Sequence, residues 1–228
     1  MNYREVQKIA KDTIDYAKLQ IHSGMYLVEV RELCENKLIE LGADSFWYWD
    51  IGAFVFSGDE TTVSVSGTKY STSDRIIAND DIITIDLSPQ HKNIWGDYAR
   101  TLVVQCGKVV DTDNIKNIQW KNGILTEKFL HKKMSEYVTP KTTFEELYFY
   151  INGIIEELGY TNLDFMGNLG HSIVKKKEDR IYIEKGNKTC LGAVSFFTFE
   201  PHISVPNSKY GYKRENIYYF ENGELKEL

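Results

Sequence analysis

Residues 82–104 have the sequence IITIDLSPQHKNIWGDYARTLVV. Two β-branched runs, 82–85 and 100–104, flank residues of turn-forming type, which is the pattern of two strands and their connection. Asp86 ends the first run and Asp97 precedes the second. If the strands are adjacent and antiparallel, the two carboxylates lie side by side. From this pair alone, solvated aspartates at strand ends are the simpler interpretation, and a metal ion that neutralises buried carboxylates is the other.

Apolar residues at helical spacing predict two pairs of helices around this sheet region. The predicted helices cover residues 6–21, 27–41, 129–137 and 144–158, the last with a capping box at Thr142 and Glu145. Residues 111–123 are predicted to form a turn-rich connection. Further strand-like runs lie at 54–56, 63–65, 180–183, 194–199 and 216–220. The order of two helices, strands, two helices and strands predicts an α+β fold with two similar halves.

The composition excludes several classes of protein. Of 228 residues, 42% are hydrophobic and 26% charged, which is typical of one packed domain over residues 1–228. The net charge of −6 opposes binding to nucleic acid or to an anionic membrane, and the short lysine run 175–177 is followed by two acidic residues. No segment is apolar enough for a signal peptide or a membrane span. Three widely spaced cysteines favour a reducing, cytoplasmic location.

Three later segments each carry one side chain of a type that binds metal. His171 lies in Gly170-His171-Ser172-Ile173, Glu200 precedes Pro201, and Glu215 precedes the last predicted strand. Each has an ordinary explanation on its own, because a single histidine is more often a core residue than a ligand. The order and spacing of all five candidate ligands, the two aspartates and these three residues, are a more specific signal than any one of them alone.

These segments together resemble the pita-bread metallopeptidases, the family of methionine aminopeptidase, prolidase, aminopeptidase P and creatinase. The matching pieces are Ile85-Asp86-Leu87, the block from Asp97 to Thr101, Gly170-His171-Ser172-Ile173, Thr198-Phe199-Glu200-Pro201 and Glu215. The resemblance covers residues 24–220. It implies a pita-bread fold, in which two pseudo-symmetric halves of paired helices pack on a curved, mainly antiparallel sheet.

The resemblance implies five metal ligands, which are Asp86, Asp97, His171, Glu200 and Glu215. Four carboxylates balance two divalent cations, and a set rich in oxygen with one imidazole suits Mn, Co, Fe or Zn. By resemblance, Asp86 chelates one ion, Asp97 and Glu215 bridge both, and His171 and Glu200 complete the second site. Metal-bound hydroxide would attack an amide C–N bond near a free N-terminus, and Glu200 would relay the proton to the leaving amine. The implied activity is that of an aminopeptidase or Xaa-Pro peptidase acting on small peptides.

The chain departs from the family at two positions where active members carry histidines that contact the scissile carbonyl. The first position falls at Thr68 or Lys69 and the second in residues 177–180, and none of these is His. The loss of one such donor typically slows a reaction about 10²–10³-fold. We predict that Tyr70 and His202 are the substitutes, with Lys69 as a cationic alternative. Ordinary packing of Tyr70 and an exposed strand-end position for His202 are the competing interpretations.

Four further residues receive roles from the resemblance. Tyr48, Trp49 and Phe54 are expected to line the pocket for the N-terminal side chain of the substrate, with core packing as an equal alternative. Arg100 is expected to pair with a ligand carboxylate and so support the metal site.

Two other functions remain open at this point. The missing histidines favour a non-catalytic pita-bread module that binds a peptide or a protein. A hydrolase of a non-peptide C–N bond ranks lower, because creatinase-type members use the missing histidines and dispense with metals. The sequence allows a homodimer and does not decide the oligomeric state.

Overall fold

The computed structural model describes residues 1–228, and its helices form two pairs. The helices are α1 (Tyr3–Gln20), α2 (Leu27–Glu40), α3 (Ile118–Tyr137) and α4 (Phe144–Glu157). The helix α1 packs on α2 and α3 packs on α4, as the apolar spacing predicts. None of the four combines the length and the apolarity needed to cross a bilayer.

The start of α3 differs from the prediction. Residues 118–123, predicted to be part of a turn-rich connection, form its first turns, because the Asn117 side chain accepts a hydrogen bond from the backbone N–H of Trp120 and caps the helix. Gly123 lies inside the helix, and glycine is needed there because a Cβ would collide with the ring of Tyr212. The Asn and Gly that indicated a turn therefore serve as a cap and as a close packing contact.

The capping box of α4 lies one residue later than predicted. The Thr143 side chain accepts a hydrogen bond from the backbone N–H of Glu146, and the Glu146 carboxylate accepts one from the backbone N–H of Thr143. The prediction placed the same motif at Thr142 and Glu145. Both pairs have a suitable spacing, and only the actual turn of the chain selects one.

Thirteen strands form four small sheets. They are β1 (Ser45–Phe46), β2 (Ala53–Ser57), β3 (Asp81–Leu87), β4 (Pro89–His91), β5 (Ile94–Trp95), β6 (Tyr98–Gln105), β7 (Lys108–Val110), β8 (Thr161–Asn162), β9 (Phe197–Phe199), β10 (His202–Ser204), β11 (Gly211–Lys213), β12 (Asn216–Glu221) and β13 (Glu224–Glu227). The sheet orders are β2-β3-β6-β7, β1-β4-β5, β11-β10-β8 and β13-β12-β9, with antiparallel pairing throughout.

Three predicted strands are absent or shortened. Residues 63–65 form no strand, and they follow a 3₁₀ turn at Gly58–Thr62 and line a cavity instead. Residues 180–183 make only an isolated bridge between Tyr182 and His171. In the run 194–199, only Phe197–Phe199 pairs with another strand. Each run has suitable residues, but a strand needs a partner that local sequence does not supply.

The two faces of β3 pack against different cores. Ile83, Ile85 and Leu87 pack into a core with α1 and α2, whereas Ile82 belongs to the core around α3 and α4. Because side chains alternate along a strand, Asp86 lies on the face opposite Ile85. The sheet thus has one face toward the first helix pair and one toward the second half of the chain.

Candidate active site

Asp86 and Asp97 lie on one face of the central sheet. Asp86 pairs with Ala99 across β3 and β6, so Asp97, two residues before Ala99, is a diagonal neighbour of Asp86. Both line the same cavity. The predicted adjacency of the two antiparallel strands is confirmed. The side chain of Asp97 is 5% exposed, so it is not the solvated strand-end residue of the alternative interpretation.

His171 brings a nitrogen to this cluster from the second half of the chain. Its Nε2 lies 3.5 Å from Asp97 Oδ2 and 3.7 Å from Glu200 Oε1. Its Nδ1 is 3.0 Å from the carbonyl oxygen of Ser172, so Nδ1–H donates there and leaves the Nε2 lone pair free. This tautomer is the one that a metal-binding histidine requires.

Glu215 completes a group of three potential ligands. Ligand atoms of Asp97, His171 and Glu215 all lie within 4.8 Å of one another. Glu215 is buried, and neither of its carboxylate oxygens has a hydrogen-bond partner. Burial raises the pKa of Asp97 to about 6, against the lowering effect of His171, and burial with the nearby Asp97 raises the pKa of Glu215 well above its usual value. The unpartnered buried carboxylate of Glu215, beside the Asp97 carboxylate and the Nε2 of His171, fits a divalent cation.

Lys213 places a cation inside the same cluster. Its Nζ lies 2.6 Å from Asp86 Oδ2 and 3.0 Å from Glu200 Oε2. Burial lowers the pKa of Lys213, but Asp86 and Glu200 outweigh it and raise the pKa well above the usual value. For Glu200, burial raises the pKa, and the stronger combined effect of Lys213 and His171 holds it below the usual value. The Glu200 carboxylate and the Lys213 ammonium are therefore a charged pair.

The backbone of the second half holds these groups in place. Thr198 Oγ1 accepts a hydrogen bond from the backbone N–H of His171 at 2.9 Å and donates one to Glu200 Oε1 at 3.2 Å. Gly170, with φ +136°, lies so close to Thr198 that a Cβ there would be 2.3 Å from its carbonyl oxygen. Thr198 thus fixes His171 and Glu200 relative to each other.

The cluster lies in a cavity of about 640 Å³. One wall is aromatic, and it is formed by Trp47, Tyr48, Phe54 and Phe56. Polar and charged side chains on the other walls include Lys69, Asp164, Arg180 and Glu184. The volume and the mixed lining suit a small ligand with an apolar part and charged groups.

The structure places the two predicted substitute groups in different surroundings. The Tyr70 hydroxyl accepts a hydrogen bond from the backbone N–H of Val55 at 2.8 Å and one from Thr72 Oγ1 at 3.0 Å, and Tyr70 does not line the cavity. His202 lines the cavity and is buried, not exposed. Its Nε2 donates to the carbonyl of Thr61 at 2.7 Å, and burial lowers its pKa to about 4. Lys69 lines the cavity.

The remaining predicted residues lie in and behind the cavity wall. Tyr48 and Phe54 line it, whereas Trp49 does not and is 45% exposed with Lys177 Nζ over its ring. Arg100 Nη1 donates to the backbone carbonyl of Glu215 at 2.7 Å, and Nη2 donates to Asn216 Oδ1. Arg100 therefore supports the backbone of Glu215 and not, as expected, a ligand carboxylate.

Lys213 and Thr198 are the functional residues that the sequence reasoning missed. Lys213 stands two positions before Glu215, and Thr198 two before Glu200. Because side chains alternate along extended backbone, a spacing of two was an available signal for a shared face.

The family model of metallopeptidase family M24 matches residues 1–222. The chain belongs to metallopeptidase family M24. No curated protein matches it. Asp97, His171 and Glu215 of this M24 chain have the donor atoms and the spacing to hold a metal ion.

Solved structures share the fold of this M24 chain. An X-Pro aminopeptidase from Thermotoga maritima is 19% identical with a TM-score of 0.82, and the match covers 99% of this chain and 58% of that one. A prolidase from Pyrococcus horikoshii is 22% identical with a TM-score of 0.80, over 97% and 59% of the two chains. A methionine aminopeptidase from Thermotoga maritima is 14% identical with a TM-score of 0.71, over 99% and 94%.

The predicted pita-bread fold is confirmed by these matches. The M24 chain spans about three-fifths of the X-Pro aminopeptidase and of the prolidase, at 58% and 59% of their lengths. The predicted halves correspond to two cores, one around α1 and α2 and the other around α3 and α4.

Proposed function

We propose that this M24 chain is a metal-dependent peptidase that cleaves an amide C–N bond near the free N-terminus of a small peptide. The observation that carries the proposal is the buried group of Asp97, His171 and Glu215 beside an open cavity. The unpartnered oxygens of Glu215 and the free Nε2 of His171 would hold the cation. When bound, a divalent cation supplies the Lewis acidity that polarises a carbonyl and makes water more acidic.

The residues around the cation site have separate tasks in this proposal. Glu200 lines the cavity, and its Oε1 lies 3.7 Å from His171 Nε2, so it is placed to accept a proton from an attacking water and pass it to the leaving amine. The aromatic wall with Tyr48 and Phe54 would hold the N-terminal side chain of the substrate and exclude water. Arg100 keeps the backbone of Glu215 in place.

An Xaa-Pro bond is the substrate that we favour. Two of the similar solved structures are an X-Pro aminopeptidase and a prolidase, with TM-scores of 0.82 and 0.80. The activity belongs to those proteins, and it comes to this chain as part of the proposal. The single catalytic domain over residues 1–228, the cytoplasmic location and a homodimer stay predictions.

In this proposal, the number of metal ions that the site binds depends on Lys213. The sequence predicts two ions of Mn, Co, Fe or Zn, and the second ion needs Asp86. Asp86 is the carboxylate to which the Lys213 ammonium is paired.

A non-catalytic module that binds a peptide is the second candidate function. The observation that favours it is the engagement of both predicted substitutes, since the Tyr70 hydroxyl contacts Val55 and Thr72 and His202 Nε2 donates to Thr61. Such a module would use the same cavity to hold a peptide without cleaving it.

The test combines metal uptake with a panel of substrates. Purified protein is loaded with Mn²⁺, Co²⁺, Fe²⁺ or Zn²⁺ and assayed on Xaa-Pro dipeptides, Xaa-Pro tripeptides, peptides with N-terminal Met, and creatine. We expect turnover of an Xaa-Pro peptide that a chelator abolishes. Asp97→Asn should remove both metal uptake and turnover, and Asp113→Asn, at an exposed position, should remove neither.

Two other outcomes identify a different function, and a third overturns the proposal. Peptide binding without cleavage under any metal would support the non-catalytic module. Turnover of creatine alone would support a non-peptide substrate. Full activity of Asp97→Asn would overturn the proposal.

A further inference from the structure

An internal ammonium occupies the space between two of the five predicted metal ligands. Lys213 Nζ lies 2.6 Å from Asp86 Oδ2 and 3.0 Å from Glu200 Oε2. The three side chains are 12–21% exposed, so little solvent separates their charges. At such distances and with limited screening, each carboxylate has its main electrostatic partner in Lys213.

The backbone holds Lys213 in this position. The backbone N–H of Lys213 donates to Thr101 Oγ1 at 2.8 Å, and its carbonyl accepts from the same hydroxyl at 3.2 Å. Thr101 pairs with Thr84 in the central sheet, two residues before Asp86. The strand β11 is thereby attached to the sheet that carries Asp86, and the Lys213 side chain has a fixed starting point over it.

The remaining ligands form a compact group that excludes Asp86. Asp97, His171 and Glu215 are the three residues whose ligand atoms lie within 4.8 Å of one another. Three ligands of this type, together with water, suffice for one divalent ion. A second ion would need Asp86, and an ammonium beside it would compete for the same oxygen and repel the ion.

We propose that this chain binds a single divalent cation, at Asp97, His171 and Glu215, and that the Lys213 ammonium takes the place of a second cation between Asp86 and Glu200. The inference rests on the proposed function only in that a metal binds this group. It replaces the two-ion centre implied by the family resemblance with one metal ion and one fixed organic cation. Lys213 is then a charge-compensating residue of the site.

The test measures the number of Mn²⁺ ions per chain and whether they are coupled. Equilibrium dialysis with elemental analysis gives the stoichiometry, and electron paramagnetic resonance separates isolated Mn²⁺ from a spin-coupled pair. The variants are Lys213→Met, which removes the charge and keeps an unbranched side chain one atom shorter, and Lys213→Arg, which keeps the charge. Lys209→Met is the matched control, because Lys209 is exposed and lies on the same segment.

We expect one uncoupled ion in the native chain, in Lys213→Arg and in Lys209→Met. Lys213→Met should bind two ions with a coupled spectrum. Two ions or a coupled spectrum in the native chain would overturn the inference and leave the proposed function intact. A folded Lys213→Met that still binds one ion would also overturn the role of Lys213. No ion at all in the native chain would overturn both proposals.

A second variant decides the matter if Lys213→Met does not fold, which circular dichroism would show. Asp86→Asn in the native background should still bind one Mn²⁺ with an affinity within a few-fold of the native value, because Asp86 lies outside the three-residue group. A tenfold or larger loss of affinity would assign Asp86 to the metal and contradict the inference.

Discussion

Asp97 Oδ2 lies 3.5 Å from His171 Nε2, and this contact joins the two halves of the chain inside the candidate site. Asp97 is positioned by the sheet that packs on α1 and α2, whereas His171 is held by Thr198 of β9 in the half that contains α3 and α4. The metal site therefore exists only when both halves are folded and docked.

Metal should stabilise the whole chain because its ligands come from both halves. A ligand that binds only the folded state adds about 2.7 kcal/mol to the free energy of unfolding at a free concentration one hundred times its Kd. We expect Mn²⁺ at that excess to raise Tm by several degrees in calorimetry. Asp97→Asn should show no increase, and an equal increase in both proteins would place the stabilising ion elsewhere.

Glu200→Gln should separate catalysis from metal binding. The amide keeps the shape of the side chain but cannot accept the proton, so kcat should fall about 10²–10⁴-fold. The group of Asp97, His171 and Glu215 is untouched, so the Mn²⁺ stoichiometry should not change. Glu157→Gln on the exposed face of α4 is the control for the loss of one acidic charge. Loss of the ion in Glu200→Gln would instead make Glu200 an essential ligand.

Gly170→Ala should lower both the stability of the chain and its affinity for metal, because it disturbs the backbone beside His171. A Cβ at Gly170 would lie 2.3 Å from the carbonyl oxygen of Thr198, and the φ of +136° is unfavourable for alanine. We expect unfolding in urea to show a loss of about 2–4 kcal/mol, together with weaker Mn²⁺ binding as His171 shifts.

Gly153→Ala is the control for that substitution. Gly153 is inside α4 with open space around it, so alanine should stabilise the chain by up to ~1 kcal/mol. Equal effects of the two alanines would contradict the role of Gly170.

Two buried histidines should make the metal-free chain less stable in acid. Burial lowers the pKa of His202 to about 4 and holds the pKa of His131 well below its usual value. The unfolded chain binds protons at these residues below pH ~6.5, and the folded chain does not, so stability falls as the pH drops from about 6.5 toward 4. For His202 the loss is on the order of 3 kcal/mol.

Urea unfolding of His202→Gln between pH 7.5 and 4.5 isolates this contribution. The loss of stability on acidification should be smaller than in the native chain, because the variant lacks the His202 imidazole, which takes up a proton only when the chain unfolds. The carboxylates with a raised pKa, Asp97 and Glu215, act in the opposite direction, but they are present in both proteins and cancel in the comparison. His22→Gln, at an exposed histidine, should keep the native slope. The same slope in all three proteins would refute the assignment to His202.

Local patterns in the sequence determined the helix pairs, the paired strands around Asp86 and Asp97 and, through the family resemblance, the pita-bread fold. Helical spacing and strand alternation depend on residues that are close along the chain. The pairing of the two strands in residues 82–104 could therefore be predicted from that segment alone. The same locality explains the errors at residues 63–65, which have no strand partner, and at residues 118–123, where Asn117 caps a helix in place of the predicted turn.

Which charged groups face one another depends on the three-dimensional packing of the chain. Lys213 lies between Asp86 and Glu200, Tyr70 and His202 make hydrogen bonds within the protein, and Arg100 supports the backbone of Glu215. These relationships join residues that are far apart in the chain, and they depend on how two separately packed halves meet. Side-chain electrostatics acts over a few ångströms in space, whereas sequence spacing reports only on neighbours within one helix or strand.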